Sequence, residues 1–275
     1  MSYLGIKKMV RKINTIKLFA NNNEYSLNIK KELEKKLIAN NYTISENINN
    51  IDLAIAIGGD GSFIRMIKKC NFIDTIHYIG INTGTLGFAQ EIYPDKIDSF
   101  ISNLNKNRFK IEKISIQETK ITSKEEVKNL LSLNEIVIRE KDLNTLNLKL
   151  SVNKCLLENY TGDGLLISTS FGSTAYNLSF GGSIVYNDLH TLQITPVAPL
   201  NNKSYSSLVN SIIISEKRVI DIVPTKNNNL IISADGENYL IDNVINISTC
   251  VKRKRIKLIR MKEYDYTKKI NEKFL

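Results

Sequence analysis

The stretch Ile51-Asp-Leu-Ala-Ile-Ala-Ile57, stopped abruptly by Gly58-Gly-Asp-Gly61, decides the fold class. A nearly unbroken apolar run of this length is the pattern of a strand covered on both faces, as in a parallel sheet. Phe63, Ile64, Met66 and Ile67 follow with helical spacing, and Tyr78 to Ile81 reads as the next strand. That strand runs into Asn82-Thr-Gly-Thr-Leu-Gly-Phe88. Strand, helix and strand in this order make a β-α-β unit whose loops lie at the carboxyl ends of the strands, where open α/β sheets bind ligands. Upstream, Ile13 to Ala20 reads as a first strand and Asn21 to Asn23 as a turn. A helix follows with Ile29, Leu33 and Leu37 at four-residue spacing, and Asn40 and Asn41 end it.

From about Phe109 the period changes. Lys110-Ile-Glu-Lys-Ile-Ser-Ile116 and Leu146-Asn-Leu-Lys-Leu-Ser-Val152 alternate as half-buried strands do, so the second part is β-rich. The expected organisation is an α/β N-terminal domain with a parallel sheet over 1–108 and a β-rich domain over 109–250. There is no internal repeat and no low-complexity linker.

Composition narrows the function classes. The 275 residues with 42% hydrophobic content suffice for a packed core. No apolar run approaches the roughly 18 to 20 residues of a membrane helix. The basic start at Lys7, Lys8, Arg11 and Lys12 is not followed by the apolar region of a secretory signal, so a cytoplasmic location is expected. Cys70, Cys155 and Cys250 lie far apart, and His77 and His190 are the only histidines. Zinc binding is not expected, and the thiols read as reduced and packed. The net charge of +10 is mostly dispersed. Its densest cluster, Lys252 to Arg255 with Lys257, alternates with Val251, Ile256 and Leu258 as the solvated face of a strand does, which argues against specific nucleic-acid binding.

Two stretches carry chemistry. Gly58-Gly-Asp-Gly61 sits between a buried strand and a helix, where backbone N–H groups lack partners and the helix dipole favours an anion. Neither G-x-x-x-x-G-K-[ST] nor G-x-G-x-x-G is present. Asp60 reads either as a helix cap or as a catalytic carboxylate. The second stretch runs from Thr161-Gly-Asp-Gly164 through Gly172-Ser-Thr-Ala-Tyr-Asn-Leu-Ser179 to Gly181-Gly182. It offers small hydroxyl residues, Tyr176 to stack on a base and Asp163 to accept hydrogen bonds.

Together with Asn134-Glu135, Asn82 to Phe88 and Ile194-Thr-Pro-Val-Ala-Pro199, these stretches resemble the NAD kinase family in motif and in order, over about residues 50 to 240. The resemblance implies phosphorylation of the adenosine ribose 2′-hydroxyl of NAD, from ATP or polyphosphate, with a divalent ion such as Mg2+. It implies Asp60 as general base, with Gly58, Gly59, Gly61 and Arg65 beside phosphates. Asn134 and Glu135 would hold NAD and its ribose hydroxyls, and Asp163 its nicotinamide side. Phe88, Thr174, Ala175, Tyr176 and Ser179 would surround the adenine, with Ala198 lining the same cleft, and Asn177, Leu178 and Glu237 would be further residues binding the dinucleotide. It further implies a C-terminal segment, 251–275, returning to the first domain, and assembly as a homodimer or homotetramer. Ser170, Phe171, Thr161 and Glu237 depart from the family pattern. Phe171 reads either as a ring against the nicotinamide ribose or as a side chain in the core between the two domains. The rivals are a lipid kinase of the diacylglycerol kinase type, which shares the Gly-Gly-Asp-Gly loop, and a non-catalytic nucleotide or nucleic-acid binding protein.

Overall fold

The computed structural model describes residues 13–84, 87–202 and 206–275. The basic residues Lys7 to Lys12 and the middle of the Asn82–Phe88 segment lie outside them. The first elements are β1 (Thr15–Ala20), α1 (Glu24–Ala39), β2 (Thr43–Ile44), β3 (Leu53–Gly58), α2 (Asp60–Lys69), β4 (His77–Asn82) and α3 (Ile97–Asn105). The strands β5 (Phe109–Ser123), β6 (Val127–Ser132), β7 (Glu135–Glu140), β8 (Leu146–Val152), β9 (Cys155–Gly162) and β10 (Gly164–Thr169) follow, then the single turn α4 (Tyr176–Ser179). The chain continues through β11 (Thr191–Val197), β12 (Ile212–Ser215), β13 (Ile220–Pro224), β14 (Leu230–Ala234), β15 (Glu237–Ile241) and β16 (Val244–Met261). It ends in α5 (Tyr266–Phe274).

Two units emerge, one holding the described residues up to Ile111 together with Lys257–Leu275, the other Glu112–Ile256. In the first, β2, β1, β3 and β4 run parallel in that order, and Lys257 and Leu258 of β16 add a further parallel pairing against His77 and Tyr78. Every residue of β3 and β4 is buried, as the apolar run of β3 requires. Leu53, Ile55 and Ile57 pack with Ile29, Leu33 and Leu37 of α1 and with Phe100, Ile101 and Leu104 of α3. Asn23 caps α1 by accepting from the Ser26 N–H, and the chain leaves the helix through Asn41 at φ 64°. The same unit receives α5.

The second unit is built of antiparallel pairings. A six-stranded sheet has the order β12-β11-β10-β7-β14-β15, and β13 pairs with β8 and with β16 in another sheet. One face of the six-stranded sheet, through Ile136, Ile138, Leu165, Ile167 and Ile232, joins Leu146, Leu148 and Leu150 of β8 in a single core. Period 2 places Glu135, Val137 and Arg139 on the opposite face.

The basic run of β16 is partly as the alternation predicts, with Arg253 and Lys254 exposed and Ile256 and Leu258 buried. Lys252 pairs with Glu118 at 2.7 Å and Arg255 with Glu216 at 2.5 Å. All three cysteines are free, and Cys70 is buried. Cys155 corrects the reading of packed thiols, because it opens a strand next to a turn and stands exposed. No helix among the described residues is long and apolar enough to cross a membrane.

Candidate active site

In the first unit the candidate residues collect where β3 meets α2. Gly59 is the helix N-cap and supplies no side-chain cap, while Asp60 is the first helical residue. The N–H groups of Asp60 and Gly61 therefore have no acceptor inside the helix. Gly61 is exposed and open to an anion. Arg65 lies one turn further on, its guanidinium folded back to donate to Asn21 Oδ1 at 2.7 Å and Ser62 Oγ at 3.1 Å. Ser62 Oγ also donates to Asn21 Oδ1 at 2.7 Å. Asn21, read from the sequence only as a turn residue, thus anchors the cation beside the helix N-terminus.

Asp60 does not cap α2. Its carboxylate accepts the Phe88 N–H on Oδ2 at 2.9 Å and the Ala89 N–H on Oδ1 at 3.0 Å. A Cβ at residue 87 would overlap that carboxylate, so only glycine fits at Gly87. Gln90 Nε2 donates to the Gly59 carbonyl at 2.6 Å and fixes the same loop to the other side of the turn. Phe88 serves this site through its backbone. Its ring is buried against Tyr266 at 5.7 Å and Phe274 at 5.5 Å between centroids, with Lys273 Nζ 4.9 Å above it. The ring is therefore covered by α5 and not open to an adenine. α5 also buries Lys269, whose pKa falls because of desolvation, against the pull of carboxylates that include Glu272, Glu91 and Asp60.

In the second unit Asn134 and Glu135 enter β7 held by their backbone. Asp235 and Gly236, at φ 49° and 79°, make the two-residue turn between β14 and β15. The Asp235 carboxylate accepts the N–H of Leu133 at 2.9 Å, of Asn134 at 2.7 Å and of Glu135 at 3.4 Å. The Asn134 carbonyl accepts the Thr169 N–H at 2.8 Å. Gly172 lies so close to the Asn134 backbone that any Cβ would overlap it. This contact lays the segment after β10 directly over the start of β7.

Glu135 is 6% exposed. The backbone N–H of Tyr176 reaches its carboxyl group, yet Oε2 is buried with no hydrogen-bond partner among the described residues. Burial, and then the nearby Asp235 charge, push its pKa up to about 8. Tyr176 is 41% exposed. Its ring meets Phe180 edge-on at 4.6 Å, and its hydroxyl accepts from Arg139 Nη2 at 2.8 Å. Phe180 packs on Val137, Leu166 and Val197, so the outer face of the six-stranded sheet supports Tyr176 from below.

The remaining expected residues separate into groups. Thr174 and Ala175 are half-buried beside Tyr176, Leu178 is half-buried and Ser179 exposed. Asn177 is fully buried. Its Nδ2 donates to the Ser173 carbonyl at 3.2 Å and its Oδ1 accepts from Thr195 Oγ1 at 2.6 Å, so the side chain braces the turn. Asp163 is exposed at the start of β10, its N–H on the Val197 carbonyl at 3.0 Å, next to exposed Ala198 at φ 44°. Arg139 spans from Gly164, beside Asp163, to Tyr176. Glu237 stands exposed after the Asp235–Gly236 turn, with Tyr239 on its carboxylate. Phe171 is buried, 8% exposed. Ser170 Oγ accepts the Thr191 N–H at 2.8 Å, and Thr161 Oγ1 donates to Asn147 Oδ1 at 3.3 Å, so both departures from the motif serve local structure. Among the described residues no three His, Cys, Asp or Glu side chains are arranged to hold a metal ion.

A held carboxylate at a glycine-bordered helix N-terminus, with an arginine over the first turn, is the equipment of a phosphotransferase. Residues 4–109 match the ATP-NAD kinase N-terminal domain and residues 133–260 the ATP-NAD kinase C-terminal domain. A relative from Finegoldia magna named NAD kinase is 38% identical, the alignment covering 94% of this chain and 97% of that protein. One from Streptococcus pneumoniae, of the same name, is 33% identical over 89% of each. The chain belongs to the NAD kinase family. Yeast NADH kinase complexed with NADH shares the fold at TM-score 0.85, with 19% identity over 95% of this chain and 87% of that one. So does an NAD kinase from Archaeoglobus fulgidus in complex with ATP, at TM-score 0.73 and 21% identity over 94% and 97%. These matches favour neither a lipid kinase nor a non-catalytic binding protein.

Proposed function

We propose that this protein phosphorylates the adenosine ribose 2′-hydroxyl of NAD to give NADP, with Asp60 as general base. The observation that carries the reading is the Asp60 carboxylate, fixed by two backbone N–H groups instead of capping its helix. A carboxylate oxygen has two lone pairs, so each oxygen keeps one for the substrate hydroxyl. As the 2′-oxygen bonds to the terminal phosphorus, the bond from phosphorus to the leaving nucleoside diphosphate oxygen breaks and the hydroxyl proton passes to Asp60. Transfer through a loose transition state demands positioning more than basicity, and a carboxylate held at two points supplies positioning. The helix N-terminus at Gly59–Gly61 and Arg65 would receive the phosphates, where partial and full positive charges coincide.

Asn134 and Glu135 would bind NAD, the orphaned Glu135 oxygen accepting from a ribose hydroxyl. Tyr176 would stack on the adenine with Thr174, Ala175 and Ser179 around it, and Asp163 with Ala198 would meet the nicotinamide side. ATP is the donor best supported by the kinship, with polyphosphate as a further donor, and the nucleotide would be used as its magnesium complex, the ion entering as part of the substrate. A cytoplasmic homodimer or homotetramer completes the proposal, open to light scattering. The decisive assay supplies NAD with ATP or polyphosphate and locates the new phosphate by 31P and 1H NMR. Phosphate at the adenosine 2′ position is expected, and a protein that binds NAD without forming NADP overturns the reading.

A further inference from the structure

The Asp60 cradle has a back side. Phe88 and Ala89 give their N–H groups to Asp60, and the carbonyls of the same two residues face Arg260 near the end of β16. Arg260 Nη2 donates to the Phe88 carbonyl at 3.4 Å and Nη1 to the Ala89 carbonyl at 3.3 Å. The residue is 2% exposed, its guanidinium 3.9 Å over the Tyr264 ring and 3.9 Å from Glu91 Oε2. Glu91 Oε1 in turn accepts the Met261 N–H at 2.9 Å, tying the loop to the strand that carries Arg260.

The peptide group between Phe88 and Ala89 therefore sits in a chain, with a cation on its carbonyl and the Asp60 carboxylate on its N–H. Polarising the carbonyl strengthens the N–H as a donor, and two fixed carbonyls leave the loop no freedom to rotate its N–H groups away. A guanidinium does this better than an ammonium, because its planar fork serves both carbonyls at once. We propose that Arg260 is a positioning residue for phosphoryl transfer, setting the orientation of the Asp60 carboxylate through the Phe88–Ala89 backbone. This inference rests on Asp60 being the base.

The test uses R260K and the double variant E91Q/R260M in the full chain. R260K keeps the buried charge and loses the fork. The double variant removes the ion pair as a unit, a change that buried pairs often tolerate in stability. In protein shown by thermal melt to be folded, kcat should fall on the order of tenfold or more, as loss of fine alignment does, while KM for NAD stays within about threefold, the split expected for an interaction felt in the transition state. In the unaltered protein the Phe88 and Ala89 amides should exchange slowly with solvent, and faster in R260K. Folded variants with kcat within about twofold of the unaltered enzyme overturn the proposal, as does rapid Ala89 exchange in the unaltered protein. D60N in the same assay separates the two readings. If D60N keeps its activity, the base assignment fails; if D60N loses activity and the Arg260 variants do not, only the role of Arg260 fails.

Discussion

Asp60 and Glu135 are carboxylates treated in opposite ways. Asp60, half-buried at the start of α2, has both oxygens satisfied by backbone N–H groups and a glycine pressed against it. Glu135, buried on the outer face of a sheet, keeps one oxygen with no partner among the described residues and holds its proton to about pH 8. A group oriented before the substrate arrives acts on the transition state without rearrangement, whereas a buried orphan gains most when a ligand supplies the missing bond. The comparison fits the proposal that Asp60 serves the chemistry and Glu135 recognition.

The largest expected effect breaks the Asp60 side. Asp60→Asn preserves shape and removes basicity, so kcat should fall at least the ~10²-fold typical of a positioned acid–base group. Steady-state kinetics check this, and activity within a few-fold of the unaltered enzyme returns Asp60 to a structural role.

Next in size is the support of the recognition face. Phe171 is buried one residue before the Gly172 contact with Asn134. Phe171→Ala should destabilise the protein by about 3 to 5 kcal/mol through the cavity it leaves. Denaturant unfolding measures it, and a loss under about 1 kcal/mol would mean that the ring faces a ligand instead. Tyr176→Ala is more local. It should weaken NAD binding by about 1 to 3 kcal/mol, the range for base stacking on an aromatic ring, and unchanged affinity by calorimetry would place the adenine elsewhere.

The smallest effect is on stability as a function of pH. The folded state holds the Glu135 proton more tightly than the unfolded chain, so its contribution is fully present below pH 4.5 and is lost as pH rises toward about 8. Glu135→Gln should flatten the decline of melting temperature with pH in that window. An identical slope in both proteins would show that Glu135 titrates at its ordinary value.

The sequence made one kind of structure legible and concealed another. The apolar run of β3, the helix with Phe63, Ile64, Met66 and Ile67, and the alternation of Leu146 to Val152 follow from local period, and each forms as read. Asp60 and the Asn134-Glu135 pair are visible as motifs. Their partners are not, because contact order hides them. The N–H groups on Asp60 come from residues 28 and 29 positions later, and the carboxylate on Asn134 comes from 101 positions later. The Asp235-Gly236 dipeptide between two alternating runs is a hairpin signal that points to that turn, but not to the strand it grips. Arg260 lies just past a basic run that reads as a solvated strand face, and only packing shows that its charge is buried. Phe88 is legible as a motif residue, while the cover over its ring comes from α5 at the far end of the chain.

The division of labour between the two carboxylates is tested most directly by steady-state kinetics of D60N and E135Q side by side, with NAD varied at saturating ATP. D60N should lose kcat with KM for NAD within about threefold, and E135Q should raise KM about fivefold to tenfold, the loss of one hydrogen bond of a buried neutral carboxyl, with kcat nearly unchanged. If E135Q lowers kcat as far as D60N does, or D60N acts only on KM, the assignment of chemistry to Asp60 and recognition to Glu135 is contradicted.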